Sequence, residues 1–323
     1  MKSFLIRLSL FLLFSFIFLF LYSRLCDYLF TTVEYANKAA KREWIFMKNG
    51  EKYDYVILGS SRAEGALDIK LVDSITQRKG VNLGVGGAGF ADNYLILDKF
   101  IKSNKLKTVY LQVDLYSFDS DKGFTNSFSI PNYLPFWNEP VVNEVLRDFN
   151  QKNDNVLWTY VPFTRYMKYN KYYNPFELLR RLRKIDAYQT DKFDFSSGTK
   201  SPEEKVFNMD VFNTNYKVSQ NFDIKKKDLK YLNKIIELCK INNIELITFR
   251  APEFYKIKDL QVNRATTMSH IYNLLKNKNL PVLDNNNSIE IDHRNFVDAT
   301  HLSVKGQNLF TYNFIQLITQ KND

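Results

Sequence analysis

A serine, a glycine-rich loop and an Asp–His pair stand far apart in this chain, and together they hold the parts of an acyl-transfer site. Gly59-Ser60-Ser61-Arg62 directly follows an apolar run. A serine at a strand-to-helix turn lifts its hydroxyl off the sheet edge, and the helix N-terminus behind it favours a developing anion. The same place also suits a plain helix N-cap, which serine fills routinely. Asp298-Ala299-Thr300-His301 precedes the last helical stretch. An Asp and a His three apart share one face of a turn. The carboxylate then fixes the imidazole tautomer while the other ring nitrogen faces the serine. Seen alone, the pair would read as a capping Asp and a surface His.

The third segment is Asn82-Leu83-Gly84-Val85-Gly86-Gly87-Ala88-Gly89. Glycines after a strand let the backbone approach a ligand and leave N–H groups to face an oxyanion. Gly84, Gly86 and Gly89 also spell the GxGxxG of a dinucleotide loop, with Asp114 about where a ribose-binding acid would stand. That reading is the weaker one. The loop does not follow the first strand, and an exported domain meets no cytosolic nicotinamide cofactor. Asp292-His293 is a bystander pair, because adjacent residues do not face each other on a helix. Asp292, His293, Asp298 and His301 lack a recognised metal spacing. Neither a metal nor a cofactor is expected.

These residues need a sheet to hold them, and the chain supplies one. Tyr55 to Leu58, Val81 to Leu83, Thr108 to Val113, Ile244 to Phe249 and Pro281 to Leu283 are short apolar runs that read as buried strands. Helical stretches alternate with them at Ile69 to Gln77, Asp92 to Ser103, Lys226 to Asn242, Ala265 to Lys278 and Val304 to Thr319. Such alternation predicts an α/β fold with a parallel sheet covered on both faces. From about Phe118 to Phe222 the rhythm breaks. This interval is rich in aromatics, among them Trp137, Trp158, Tyr166 and Tyr173, and carries a basic helix candidate at Phe176 to Ile185. It reads as an insertion lying over the sheet edge where the strands end.

Leu8 to Tyr22 contains no charge, Gly or Pro, and with Phe4 to Ile6 it approaches the ~20 residues of a spanning helix. Lys2 and Arg7 on the short N-terminal side predict N-in, C-out. Ser23, Arg24 and Leu25 make a poor processing site and a poor lipidation context for Cys26. The expected organisation is a membrane anchor over residues 1–26, a polar stalk over 27–52 and an α/β domain over 53–323. Everything after the anchor is expected outside the cytoplasm.

The chain has 323 residues, 45 Lys and Arg against 35 Asp and Glu, and two cysteines, Cys26 and Cys239. Two cysteines rule out a disulfide-stapled scaffold. The anchor holds Lys2, Arg7 and Arg24 and no acid, so the rest carries 42 basic against 35 acidic residues. That excess is mild, and no nucleic-acid partner is inferred.

Together the three segments resemble the blocks of the SGNH/GDSL hydrolase superfamily. Gly59-Ser60-Ser61 is similar to the G-D-S block, with Ser61 at the nucleophile and Ser60 where the family has Asp. Asn82 to Gly87 resembles N-x-G-x-x-G, and Asp298-x-x-His301 resembles the last block. The resemblance covers roughly residues 53–118 and 224–318. It implies a flavodoxin-like three-layer sandwich, a Ser61–His301–Asp298 triad, and an oxyanion hole formed by the Ser61 and Gly87 N–H groups. The family's third block adds an Asn donor to that hole. Here the strand end reads Gln112-Val113-Asp114-Leu115, and Asp114 would donate only if protonated. A loop-capping role for Asp114 is the plainer expectation.

An anchor joined to such a domain resembles the accessory proteins of surface-polymer acylation, of the alginate O-acetylation and D-alanine transfer types. Those act with a multi-spanning membrane acyltransferase. The expected function is a membrane-anchored, extracytoplasmic acyl esterase or O-acyltransferase acting on a cell-surface polysaccharide. The partners implied are a glycan or acylated polymer, the membrane, and such an acyltransferase. The competing reading is a non-catalytic scaffold that keeps the fold to bind a polysaccharide or a membrane partner, with Asp114 as its best support.

Overall fold

A computed structural model of the protein describes residues 1–32, 52–118, 130–150, 152–183, 193–194, 199–200, 207–215 and 219–320. The chain divides into two compact units. One is built on the sheet and carries the candidate site. The other is helical and contains the N-terminal helix.

The sheet unit begins with β1 (Tyr55–Leu58), β2 (Gly80–Asn82) and β3 (Thr108–Gln112). The two-residue strands β4 (Phe193–Asp194) and β5 (Thr199–Lys200) pair antiparallel, apart from the main sheet. β6 (Glu245–Phe249) and β7 (Val282–Leu283) complete it. The main sheet has the order β2-β1-β3-β6-β7, with every pair parallel. Register is set by pairs such as Val56 with Val81 and with Val109. This is the flavodoxin-like order, and the order in which strands are added reverses between β1 and β3. Ligands of such sheets bind at that switch, beyond the C-terminal strand ends.

Apolar residues fill both sheet faces, as strands buried on two sides require. Tyr55, Ile57, Tyr110, Ile247 and Phe249 join one core with Ile69 and Val72 of helix Ile69–Thr76 and Phe310, Phe314 and Ile318 of helix Val304–Gln320. Tyr110 and Phe314 meet edge to face, with centroids 5.1 Å apart. The alternate residues Val56, Leu58, Val109 and Leu111 are equally buried. Helices Phe90–Ile101 and Lys226–Ile241 cover that side and touch through Tyr94 and Tyr231, at 5.8 Å.

The helical unit is built on a 31-residue helix, Lys2–Thr32. It is long and apolar enough to cross a membrane. A helix of this length runs about 46 Å, more than the ~30 Å of a bilayer core. Its two parts differ accordingly. Phe4, Phe11 and Phe18 are exposed, whereas Ser23, Cys26, Leu29 and Phe30 are buried. The buried end packs against short helices between Ile130 and Leu182. Arg165 and Tyr166 both donate to the Asp27 carboxylate, and Phe30 stacks on Tyr173 at 4.6 Å.

The helix therefore does not end at the expected anchor boundary, Cys26. It continues through Thr32, and most of the expected stalk lies outside the described residues. The basic helix spans Pro175–Leu182. Much of the aromatic content of the insertion forms the interior of this unit. Trp137, Trp158, Tyr166 and Tyr173 are buried, and Trp137 meets Trp158 edge to face at 5.4 Å.

Candidate active site

The strand-to-turn step after β1 is made possible by Gly59, whose φ is +154°. A Cβ there would sit 2.5 Å from Gln112 Oε1 and 2.6 Å from Ala63 Cβ. The missing side chain lets Gln112 of β3 reach across to the turn. Gln112 Oε1 accepts from the Ser60 N–H at 2.9 Å, the Ser60 hydroxyl at 3.0 Å and the Ala63 N–H at 3.1 Å. Ser60 is the N-cap of helix Ser61–Glu64, and its oxygen accepts from Arg62 N–H at 3.3 Å. The capping role thus falls to Ser60, and Ser61 stands one residue further on, its side chain half-buried. As the first helical residue, Ser61 has an N–H with no acceptor inside the helix.

Ser61 Oγ lies 2.8 Å from His301 Nε2. His301 Nδ1 lies 2.8 Å from Asp298 Oδ2 and 3.0 Å from Oδ1. Facing two carboxylate oxygens, Nδ1 carries the proton, so Nε2 is the acceptor for the serine hydroxyl. Asp298 Oδ1 also accepts from the N–H groups of Thr300 and His301, at 2.8 and 2.9 Å, and from the Thr300 hydroxyl at 3.1 Å. Burial works against charge on Asp298. The His301 contact and the two N–H groups outweigh it and hold the carboxyl at about 2, below its ordinary 3.8.

The loop carrying the pair is itself fixed. Val297 N–H donates to His301 O at 2.9 Å, and Ala299, fully buried, accepts from Phe254 N–H at 2.9 Å.

The glycine segment flanks the serine. A Cβ on Gly86 would lie 3.8 Å from Ser61 Cβ. Ala88 N–H donates to Val85 O at 2.9 Å, and Gly87, third in that four-residue turn, has φ +73°. This is a type II turn, whose third position strains any side chain with a Cβ. Asn82 ties the loop to the serine turn. Its Nδ2 donates to Ala63 O at 2.9 Å, while its Oδ1 accepts from Gly84 N–H at 2.9 Å. The Asn82 amide is consumed by this brace.

Asp114 is placed for a different task from oxyanion donation. Its Oδ2 accepts from Arg62 Nη1 at 2.6 Å and from the Gln112 amide. Its Oδ1 accepts from the Ser117 N–H and hydroxyl, at 3.0 and 3.1 Å. With a guanidinium and three further donors directed at it, Asp114 is an acceptor in a buried network. Arg62, only 6% exposed, also donates to Ala251 O at 2.6 Å and Pro252 O at 3.2 Å. Glu253 stands 4.0 Å away and pairs with Arg264.

Gln112 and Arg62 are thus site residues that the motifs did not single out. Their signals are a lone amide in an apolar strand and a charge next to the serine. Asp292 lies elsewhere, bound to Arg294 and Lys305 at 3.0 Å each. Among the described residues no group of three His, Cys, Asp or Glu side chains is placed to hold a metal ion.

No family model matches the chain, and no curated protein matches it. Among solved structures it is similar to a protein described as lipolytic and of the G-D-S-L family, from Desulfitobacterium hafniense DCB-2. Identity is 11%, coverage is 83% of this chain and 99% of that one, and the TM-score is 0.39. It is also similar to a protein described as an acylhydrolase from Bacteroides fragilis NCTC 9343. There the identity is 12%, coverage is 85% and 89%, and the TM-score is 0.40.

Proposed function

We propose that this protein is a membrane-anchored serine acyl esterase or O-acyltransferase of SGNH type, with its sheet unit outside the cytoplasm and a cell-surface polysaccharide as substrate. The observation that carries the reading is the continuous Ser61–His301–Asp298 hydrogen-bond chain at the C-terminal ends of a parallel sheet. In the proposed reaction Ser61 Oγ attacks an ester carbonyl carbon, and His301 Nε2 takes the hydroxyl proton. The oxyanion that forms is met by the N–H groups of Ser61 and Gly87, each such donor being worth about 3–4 kcal/mol. Collapse expels the alcohol, which takes the proton back from Nε2 and leaves an acyl ester on Ser61. Water or a glycan hydroxyl then gives its proton to His301 Nε2 and attacks the acyl carbon, and on collapse the bond to Ser61 Oγ breaks and Oγ takes that proton back from Nε2. Asp298 orients the ring and balances the imidazolium throughout.

The site needs a rigid serine turn, and Gln112, Asn82 and the Arg62–Asp114 pair supply it. The N-terminal helix supports the anchored placement. The polysaccharide and a multi-spanning acyltransferase partner rest on that architecture alone. The deciding experiment is labelling with a fluorophosphonate probe. Covalent modification of the full chain that disappears in Ser61→Ala is the expected result. The scaffold reading draws on Asp114, which leaves the hole without a side-chain donor, and it predicts no labelling at all.

A further inference from the structure

In the helical unit, a cavity of about 330 Å3 lies between the end of helix Lys2–Thr32 and the helices of residues 137–165. That places it at the small end of ligand pockets, about 300–1,000 Å3. Arg24, Arg147 and Arg165 line it, together with Trp137, Trp158 and Asn143. No carboxylate lines it among the described residues. Asp27 meets two of these guanidiniums. It accepts from Arg165, and Arg24 Nη1 lies 3.8 Å from its Oδ2. Two of the three cations thus share one carboxylate, and Arg147 Nη2 donates to the Thr159 hydroxyl at 3.3 Å.

Arg165 makes this a built site rather than a patch of surface charge. Its side chain is 2% exposed, and its Nε meets no acceptor among the described residues. A buried guanidinium N–H without an acceptor is costly, and an anionic oxygen in the cavity would satisfy it. Guanidinium forks match phosphate oxygens in geometry as well as charge. The position is informative too. Arg24 stands two residues beyond the apolar run that ends at Tyr22, at the depth where a spanning helix meets lipid headgroups and where indole rings collect.

We propose that this cavity binds a phosphate ester. Arg24, Arg147 and Arg165 hold its oxygens, and Trp137 and Trp158 face its carbon-bearing part. The ester can belong to a membrane lipid headgroup or to a soluble phosphorylated molecule. The proposal does not depend on chemistry at Ser61.

Native mass spectrometry of the full-length chain in detergent micelles tests it with three probes. Phosphatidylglycerol carries the phosphate on a lipid, diacylglycerol is its phosphate-free counterpart, and glycerol 3-phosphate is a phosphate ester without chains. One phosphatidylglycerol per chain is expected to persist while diacylglycerol dissociates. Competition by glycerol 3-phosphate would assign the site to soluble esters, and its failure to compete would assign it to lipid; both support the phosphate site. Arg24 and Arg147 are exposed, so the R24Q/R147Q variant tests the site without touching buried Arg165. It should keep its helical content by circular dichroism and bind the phosphate probes about tenfold or more weakly. Equal retention of diacylglycerol, unchanged binding by the double variant, or no binding of either phosphate probe would overturn the proposal.

Discussion

Gln112 Oε1 accepts from both the backbone N–H and the hydroxyl of Ser60, at 2.9 and 3.0 Å, so a side chain of β3 sets the turn that presents Ser61. The same amide donates to Asp114, which holds Arg62 on the far side of that turn. Ser61 is therefore positioned by a buried amide from a neighbouring strand.

Replacing that amide should loosen the serine without removing it. Gln112→Ala leaves the Ser60 N–H without its acceptor, a loss of roughly 1–3 kcal/mol, while the Ala63 N–H keeps Ser60 O at 3.0 Å. Small misplacements of a reacting group cost about 10²-fold in rate. Steady-state kinetics with an activated ester should show kcat falling by about that factor while KM changes little. Gln112→Glu is the sharper variant. It can still accept from Ser60 but sets a second carboxylate against Asp114, and its melting temperature should fall below that of wild type. Full activity in Gln112→Ala would remove Gln112 from the positioning role.

The triad should behave as one device. Ser61→Ala, His301→Ala and Asp298→Ala are each expected to lower kcat by ~10³-fold or more, and the double variants should be scarcely worse than the singles. His293→Ala should be near neutral, because Asp292 is engaged by Arg294 and Lys305. Additive losses in the doubles, measured with the same activated ester, would show that the residues do not act together.

Most of the sheet was legible in the sequence because short apolar runs between helical stretches leave few alternatives. The expected strands at 55–58 and 244–249 match β1 and β6 to within a residue. The three chemical segments were legible for a related reason, since serine, glycine and an Asp–His pair leave marked local patterns. Partnerships across the chain left no such mark. Gln112 ends a run that reads simply as strand, and nothing near it announces Ser60. Asp27 looked like the start of a polar stalk, yet no Gly or Pro between Cys26 and Thr32 stops the helix, and Arg165 gives Asp27 a buried partner. The same holds for the insertion aromatics, whose spacing does not tell which of them pack together, as Trp137 and Trp158 do inside the helical unit.

Asp298 has a carboxyl held at about 2 in the folded protein, below its ordinary 3.8. A depressed value stabilises the fold above the unfolded-state value, and that contribution fades as pH falls through the folded-state value. Melting temperatures of wild type and Asp298→Asn should therefore differ by a constant amount at neutral and mildly acidic pH. The gap should narrow between pH 3.8 and about 2. A gap that closes well above pH 3.8 would mean that Asp298 is not held down by His301.

The N-terminal helix predicts a topology. Lys2 and Arg7 precede its apolar run, so the chain should enter the membrane N-in, C-out. Alkaline phosphatase fused after residue 50 should be active in a bacterial host, and the intact protein should stay with membranes after alkaline washing. An inactive fusion would reverse the orientation, and recovery of a shortened protein in the soluble fraction would show that the helix is cleaved.

Hydrolysis and transfer share the same acyl-enzyme, so the triad cannot choose between them; the choice is whether a glycan hydroxyl outcompetes water for the acyl group. Water is abundant, but oriented groups reach effective molarities of about 10⁵ M or more, so an acceptor held beside Ser61 would win. The proposed anchoring would favour transfer, because a tethered domain would stay near surface polymer and any acyl-donating partner in the same membrane. The expected outcome is therefore acylated sugar. An activated acetyl ester is supplied with a panel of surface-type oligosaccharides, and both acetylated glycan and free acetate are measured. Acetylated glycan that appears with wild type and vanishes with Ser61→Ala is the signature of transfer. Its formation should also draw down free acetate as the acceptor concentration rises, since both products leave one intermediate. Acetate released at an unchanged rate across saturating acceptors would make the protein an esterase.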